Sequence, residues 1–520
     1  MTAPATPAPP PPFPYKTQPL PKQREALLKG GMRPYFALHM EQGTGKSFVC
    51  VVTAALLWMR GKIDAVVILA PNGVHQGWIL DQFPEHCPEV VPWRGLIWRS
   101  DKELRGWRRS AKLRPAERTW DVGTLARDKS VLAILSVNSE AATTPMAKKA
   151  IGTFLTLRRC LFIVDEAGDF ITPGAKRTRA LMTWRTRAPY RRILEGVPVG
   201  GSPFELYAPF RFLSPSILGY KTYQEMKDAH AEWDTFERGD NGREFKVVAV
   251  DRKTGQKLWK DLDVLAQRIA PHSYRCTKAE ALPDLPPKVF HKRYFELTEE
   301  QWRMTMELME EMTTAFKDGA TVTATNILTQ YLRYQQIACG YVPPDQVFGE
   351  EAEPARLIDG PNPRLELACE EANRHRRIAQ IIWTRFHMDI DLLKPRLEDD
   401  GFRVSTYDGR TSEAEKAYVR DYYQKGAGPL DLLLANSAAG GRGLQLYRAE
   451  HAMFYANYFG LRRRLQSEDR NHRIGSSLLQ SVNYTDLLGR GSIDHLIVRA
   501  LRNNQQVADV ITGDPAKDWL

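Results

Sequence analysis

Several things are scarce in this sequence, and each scarcity excludes a class of protein. Its six cysteines, at 50, 87, 160, 276, 339 and 369, are widely scattered, and none falls in the C-x-x-C spacing used by metal sites. A disulfide scaffold and a cysteine-held zinc module are excluded, and reduced core thiols are expected. No apolar run is long enough for a bilayer. The stretch from Phe48 to Met59 is about half of the ~20 residues a spanning helix needs, and it reads as a buried helix. Acidic residues are in deficit, 62 Asp and Glu against 73 Lys and Arg, which leaves a net charge of +11. Clustered cations release counterions from phosphate backbones, so polyanionic partners are favoured. The first fourteen residues hold seven prolines but no basic n-region and no apolar h-region. Residues 1–16 are therefore expected to be a flexible or polyproline tail and not a signal peptide.

What is present is the material of a large α/β protein. With 520 residues, 43% apolar and 26% charged, the chain can build two α/β lobes with helical additions, each with its own core. Short β-branched apolar runs alternate with helical stretches: AVVILAP (65–71), AILSVNS (133–139), LFIVDE (161–166) and RRILEGVP (191–198). A second series comprises IAQIIWT (378–384), RVSTYDG (403–409), DLLLANS (431–437), HAMFYAN (451–457) and SVNYTDLL (481–488). Both series predict parallel sheets covered by helices.

The expected organisation is a first lobe over 17–285, with an inserted segment at about 214–275 and a hairpin around 246–259. A helical protrusion over 286–350 comes next, with helical periodicity from Glu299 to Cys339, and then a second lobe over 351–520. The Pro/Gly/Asp-rich stretch 343–363 is the linker candidate.

The chemistry starts at EQGTGKS, Glu41 to Ser47. Gly43, Thr44 and Gly45 supply a turn whose backbone N–H groups can close around phosphates. Lys46 can reach the β and γ groups, and the Ser47 hydroxyl can ligate magnesium. Met40 stands where the motif G-x-x-x-x-G-K-[ST] has its first glycine. In LFIVDEAG an apolar strand delivers Asp165 and Glu166 to its carboxyl end, the edge at which open parallel sheets bind ligands. Asp165 would hold magnesium through water, and Glu166 would polarise the attacking water.

Together these segments resemble the Swi/Snf family of superfamily-two, helicase-like ATPases, in order from about residue 17 to 505. LPKQREAL, around Gln23, is similar to the family's adenine-reading motif. APNGVHQGW (70–78), SVNSE (136–140), YRCTKAEALPDLPPK (274–288), YLRYQQIACGY (331–341), ANSAAGGRGLQLYRAE (435–450), QSEDRNHRIG (466–475) and GSIDHLIVRAL (491–501) resemble later ones.

The resemblance implies two RecA-like lobes with a helical insertion, and ATP and magnesium as cofactors. Gly443 and Gln466 would add nucleotide contacts. Pro71, Asn138, Ser139, Thr384, Arg385, Gly409, Arg410, Ala438 and Gly441 would contact DNA. Arg470 and Arg473, at i and i+3, would share one helical face and neutralise charge on the γ-phosphate. Two motifs depart from the family. Gly168 in DEAG replaces its histidine, and LEGVP (194–198) carries Glu195 and Val197 in place of two threonines.

Residues 171–194 contain Lys176, Arg177, Arg179, Arg185, Arg187, Arg191 and Arg192 and no acid, and 102–118 is also basic. As groups they could line a phosphate groove on the first lobe. Arg99, Trp107 and Trp120 interleave charge with aromatics.

The expected function is an ATP-dependent translocase on double-stranded or branched DNA, compact, monomeric, bacterial or phage-type and cytoplasmic, with no membrane association and protein partners unspecified. A strand-separating or fork-remodelling helicase, and a nucleotide-gated DNA-binding module without turnover, are the alternatives.

Overall fold

The computed structural model describes residues 13–99, 122–238, 243–317, 324–342, 355–426, 432–437, 444–476 and 479–514. They form two compact units. The first draws on residues 1–198, 205–223 and 267–281, the second on 199–204, 224–266 and 282–520.

The first unit contains β1 (Tyr35–Met40), β2 (Ala65–Ala70), β3 (Trp93–Ile97), β4 (Leu132–Asn138), β5 (Cys160–Asp165) and β6 (Tyr190–Leu194). The chain then makes a hairpin in the second unit, β7 (Trp233–Arg238) with β8 (Arg243–Val248), and returns as β9 (Ser273–Cys276). The first sheet runs β3-β4-β2-β5-β6-β1-β9, and every pairing is parallel. Strands β2 and β5 are buried along their whole length, as a parallel sheet covered on both faces requires. Alternate residues of neighbouring strands, Val66, Ile68, Leu132, Ile134, Leu161 and Ile163, pack with Val49, Val51 and Val52 of the helix Lys46–Met59. That helix is buried nearly all round, as its apolar run predicts.

The second unit continues with β10 (Lys288–Phe295), a short ribbon of β11 (Tyr341–Val342) and β12 (Arg356–Leu357), then β13 (Gln380–Thr384), β14 (Val404–Tyr407), β15 (Leu432–Asn436), β16 (His451–Phe454) and β17 (Val482–Gly489). Its sheet runs β10-β17-β16-β13-β15-β14, again parallel throughout. Two open parallel sheets covered by helices are the fold class the sequence predicts. All six cysteines are buried and unbridged.

Three details differ from expectation. β10 lies within the span assigned to a helical protrusion, yet it pairs with β17 along eight residues, from Lys288 with Val482 to Phe295 with Gly489. An edge strand has one neighbour, and its polar residues (KVFHKRYF) hide it from a search for apolar runs. The helices Glu299–Lys317 and Ala324–Ala338 come after it. The hairpin begins earlier than 246–259, since its ladder pairs 233–238 with 243–248. The later stretch contributes only the bridge Val250–Lys257 and one from Ala231 to Trp259. Of the linker candidate, 343–354 lies outside the described residues, and Arg356 and Leu357 pair with β11.

A buried ion pair closes the second core. Arg364, fully buried, donates from Nε to Ala338 O at 3.1 Å, and its other nitrogens reach Tyr455 O and the Asp494 carboxylate. Asp494 Oδ2 also accepts from the Gly489 amide at 2.9 Å and Ser492 Oγ at 3.0 Å. The pair joins the start of the helix Pro363–Arg374 to the end of β17 and the closing helix Asp494–Thr512. Arg364→Met leaves a buried carboxylate without its cation, which costs about 3–5 kcal/mol. Urea unfolding of the second unit should show that loss, and a loss below ~1 kcal/mol would contradict the role given to the pair.

Candidate functional site

β1 ends at Met40, the chain turns through Glu41–Gly45, and a helix starts at Lys46. Gly43 (φ +83°) and Gly45 (φ +94°) have left-handed backbones that side chains resist. Space enforces the second glycine as well, because a Cβ there would lie 2.1 Å from Gln23 Nε2. Gln23 is buried against this loop. Its Nε2 donates to Thr44 O at 3.2 Å, and its Oε1 accepts from the Leu20 amide at 3.0 Å. Thr44 Oγ1 donates to Glu41 O at 2.7 Å. Lys46 Nζ donates to Met40 O at 2.9 Å and Glu41 O at 3.3 Å. These are neutral acceptors, and a phosphate oxygen would offer the ammonium a stronger, charge-assisted bond. Ser47 is half-buried in the first helical turn, where unpaired amides and the helix dipole favour anions.

The carboxylates arrive together at the end of β5. Asp165 of β5 is in register with Leu194 of β6, and Leu194 with Leu38 of β1. Asp165 Oδ2 accepts from Trp78 Nε1 at 3.0 Å, and its Oδ1 from the Glu166 amide at 3.1 Å. Burial, and secondarily the adjacent Glu166, raise the Asp165 carboxyl to about 6, while Lys46 and the Trp78 bond pull the other way. Glu166 has a left-handed backbone (φ +52°), and its Oε1 accepts from Gln42 Nε2 at 2.9 Å. Sparsely populated conformations of this kind cluster at functional sites.

A lower tier braces the loop. Glu41 Oε1 meets Arg275 Nη2 at 3.1 Å, and its Oε2 accepts from the Lys278 amide at 2.9 Å. Arg275 Nη1 reaches His39 O at 3.0 Å and Gly196 O at 3.3 Å. Gln42, Arg275 and the Trp78–Asp165 bond are site features that sequence reasoning missed. All three lie in segments that the sequence singles out, 41–47, 274–288 and 70–78, but nothing in those segments reveals their partners. In the structure the Trp78 indole is buried against the acid of β5.

Among the described residues, the positions assigned to DNA fall at carboxyl ends of strands. Pro71 and the pair Asn138 and Ser139 end β2 and β4, where Ala70 is in register with Asn138 and the Ser139 amide donates to Ala70 O at 2.8 Å. In the second unit Thr384 and Arg385 stand at the end of β13, and Gly409 and Arg410 just past β14. Thr384 is fully buried and its hydroxyl faces Ala435 O at 3.5 Å, which is a packing position and not an open contact. Arg385 Nη1 bonds Gln335 Oε1 at 2.5 Å, and exposed Arg410 pairs with Asp391 and Asp408. Gly443, Ala438 and Gly441, together with Trp107, Trp120 and segment 102–118, lie outside the described residues.

Two further expectations are corrected. The helix carrying Gln466 ends at Glu468, so Arg470 and Arg473 lie in the turns after it and not on a helical face. Tertiary bonds stop the helix. Arg470 O accepts from the Leu446 amide at 2.8 Å, Asn471 Nδ2 donates to Ala449 O at 3.1 Å, and His472 Nε2 meets Pro286 O at 2.9 Å. Arg470 is buried with Nη1 on Leu444 O at 3.3 Å, and half-buried Arg473 donates from Nε to Asp469 O at 2.6 Å. In the basic stretch, Arg191 and Arg192 belong to β6 and are buried. Arg192 Nη2 takes Gly30 O at 2.9 Å, Gly31 O at 3.2 Å and Arg33 O at 2.8 Å, capping the helix Pro21–Gly30. Lys176 and Arg179 are exposed and, with Lys148, Thr143 and Thr183, line a cleft of about 350 Å³ in the first unit.

Two parallel α/β units, the first ending in a phosphate loop beside paired carboxylates, define the class of helicase-like ATPases. The model of the SNF2-related domain matches residues 37–341, and that of the helicase conserved C-terminal domain matches 363–475; the chain belongs to the SNF2 family. It is 24% identical over 345 residues to an uncharacterized ATP-dependent helicase of Mycoplasma pneumoniae, covering 66% of this chain and 30% of that protein. It is 24% identical over 477 residues to the DNA annealing helicase and endonuclease ZRANB3 of Bos taurus, covering 90% of this chain and 38% of that one. It thus spans about a third of these relatives. The SWI2/SNF2 ATPase core of Sulfolobus solfataricus, solved in complex with dsDNA, aligns over 97% of this chain and 95% of its own at 18% identity, with a TM-score of 0.38.

Gly45→Ala places a methyl group in the space of the Gln23 amide and strains the backbone. Its affinity for a fluorescent ATP analogue should fall at least ~10-fold, a loss of about 1.4 kcal/mol. Unchanged affinity would show that this loop does not hold the nucleotide.

Proposed function

We propose that the chain is an ATP-driven translocase on double-stranded DNA. The observation that carries the proposal is the meeting of Lys46, Asp165 and Glu166 at one edge of the first unit's sheet, past the ends of β1 and β5, which flank β6. The donor set fits a nucleoside triphosphate with magnesium: an ammonium on weak acceptors, a hydroxyl in a first helical turn, and a buried acid beside a second acid. When bound, magnesium-ATP supplies the phosphoanhydride bond to be broken. Lys46 would take up the β and γ phosphates, Ser47 and Asp165 would hold the metal, and Glu166 would orient and polarise the attacking water. Arg470 and Arg473 receive the charge-neutralising role from the segment they share with the family.

Support for DNA as partner comes from three sides. The net charge is +11. The bovine relative is named a DNA annealing helicase. The cleft of Lys148, Lys176 and Arg179 offers cations and hydroxyls with no acid among its lining residues, which suits backbone phosphates of any sequence.

Lys46→Ala, Glu166→Gln and Arg473→Ala should each abolish phosphate release stimulated by duplex DNA, with circular dichroism unchanged. Full turnover in Glu166→Gln would remove that residue from the water-activating role. ATP binding without any release, with or without duplex, would favour the nucleotide-gated binding module.

A further inference from the structure

We infer that Glu195 is a positioning residue for the water-activating carboxylate, locking the Glu166 turn to the ends of β6 and β1; this rests on the ATPase reading above. Glu195 comes directly after Leu194, whose register partner on β5 is Asp165, so it stands one strand away from the acid pair. The residue is only 3% exposed. Its Oε2 accepts from the Gly168 amide at 2.5 Å, and its Oε1 accepts from the Val197 amide at 3.1 Å. Its own amide donates to Leu38 O at 3.1 Å. One residue therefore ties the turn after β5, the loop after β6 and the strand that leads into the phosphate loop. Backbone N–H donors to a carboxylate make charge-assisted bonds, and they stabilise its ionised form where water is excluded.

The turn needs such an anchor. Glu166 opens it in a left-handed conformation, which persists only where the surroundings over-determine it. Inside the turn the Asp169 amide donates to Glu166 O at 3.0 Å, and the Gly168 amide is held from outside by Glu195. The next residue, Gly196, closes the other side. A Cβ there would come within 3.2 Å of Gln42 Cγ and 3.7 Å of Lys46 Nζ. Gln42 in turn holds Glu166 Oε1 at 2.9 Å. The turn that Glu166 opens is gripped at the Gly168 amide by Glu195, and the Glu166 carboxylate is held by Gln42, the side chain beneath Gly196, so a shift of the Glu195 loop acts on both grips. Glu195 acts on the acid pair through the Gly168 amide of the turn, so its effect falls on turnover and not on nucleotide affinity.

The test is steady-state ATP hydrolysis by the full chain with saturating duplex DNA, in Glu195→Ala and Glu195→Gln. Misplacing a catalytic group by about 1 Å costs on the order of 100-fold, so Glu195→Ala should lower kcat by ~10- to 100-fold and leave KM for ATP within about threefold. Glu195→Gln keeps the volume and one carbonyl acceptor, and it should recover most of that loss while remaining measurably below wild type. Binding of a fluorescent ATP analogue should match wild type in both. Unchanged kcat in Glu195→Ala overturns the inference, as does a parallel collapse of nucleotide affinity and kcat, the mark of a residue that only supports the fold. If Glu195→Ala does not fold, Glu195→Gln carries the test, and wild-type kcat there overturns the inference. Lys46→Ala, measured alongside, separates the two readings: turnover that Lys46→Ala does not remove means that the ATPase assignment has failed, and not the role of Glu195.

Discussion

The constraint on which the first unit depends is the parallel register of four neighbouring strands, β5, β6, β1 and β9. Parallel pairing sends all four carboxyl ends to one edge, and the residues just past each strand meet there: Asp165 and Glu166 at the end of β5, Glu195 after β6, the phosphate loop after β1, and Lys278 after β9, with Arg275 within β9. A one-residue slip would turn every side chain of a strand to the opposite face and scatter this set. Register is fixed by the buried faces of β2, β5 and β6 against helices, so the chemistry inherits its precision from an apolar core that takes no part in it.

That edge concentrates polar groups in a place from which water is largely excluded, and the groups hold one another. Lys46 rests on two carbonyls, Glu166 on Gln42, Asp165 on Trp78, and Glu41 on Arg275 and the Lys278 amide. Some of this comes at a cost in stability. Asp165 is held in surroundings that disfavour its charge, and Glu166 keeps a backbone that an acid rarely adopts. Such costs are usual where a site is organised before its ligand arrives. The second unit, by contrast, uses its buried charge for architecture, with Arg364 against Asp494, and Arg464 between Glu468 and Asp486.

This division decides how much of the protein is legible in its sequence. Interior strands such as β2, β4, β5, β13 and β15 are apolar runs, and all were legible. In the two large sheets four strands escaped, and three of them, β3, β9 and β10, are sheet edges, where one neighbour is missing and polar residues are tolerated. The fourth, β1, reads YFALHM and contains no β-branched residue. The phosphate loop and the acid pair were legible because spacing alone brings them to a turn and a strand end. Gln42, Arg275 and the Trp78–Asp165 bond were not, because their partners are 79 to 236 residues away in sequence. The helical face expected for Arg470 and Arg473 failed for a related reason, since bonds to Leu446, Ala449 and Pro286 decide the backbone there. Arg191 and Arg192 looked like surface charge because nothing local reveals that β6 is interior and that carbonyls await the Arg192 guanidinium.

The central claim is movement along intact duplex DNA, and displacement of a third strand from a duplex-borne triplex tests it most directly. With ATP and magnesium, the wild-type chain should release the third strand without separating the duplex beneath, and Lys46→Ala should not. Separation of forked strands with no release of the third strand would contradict the account and identify a strand-separating helicase instead.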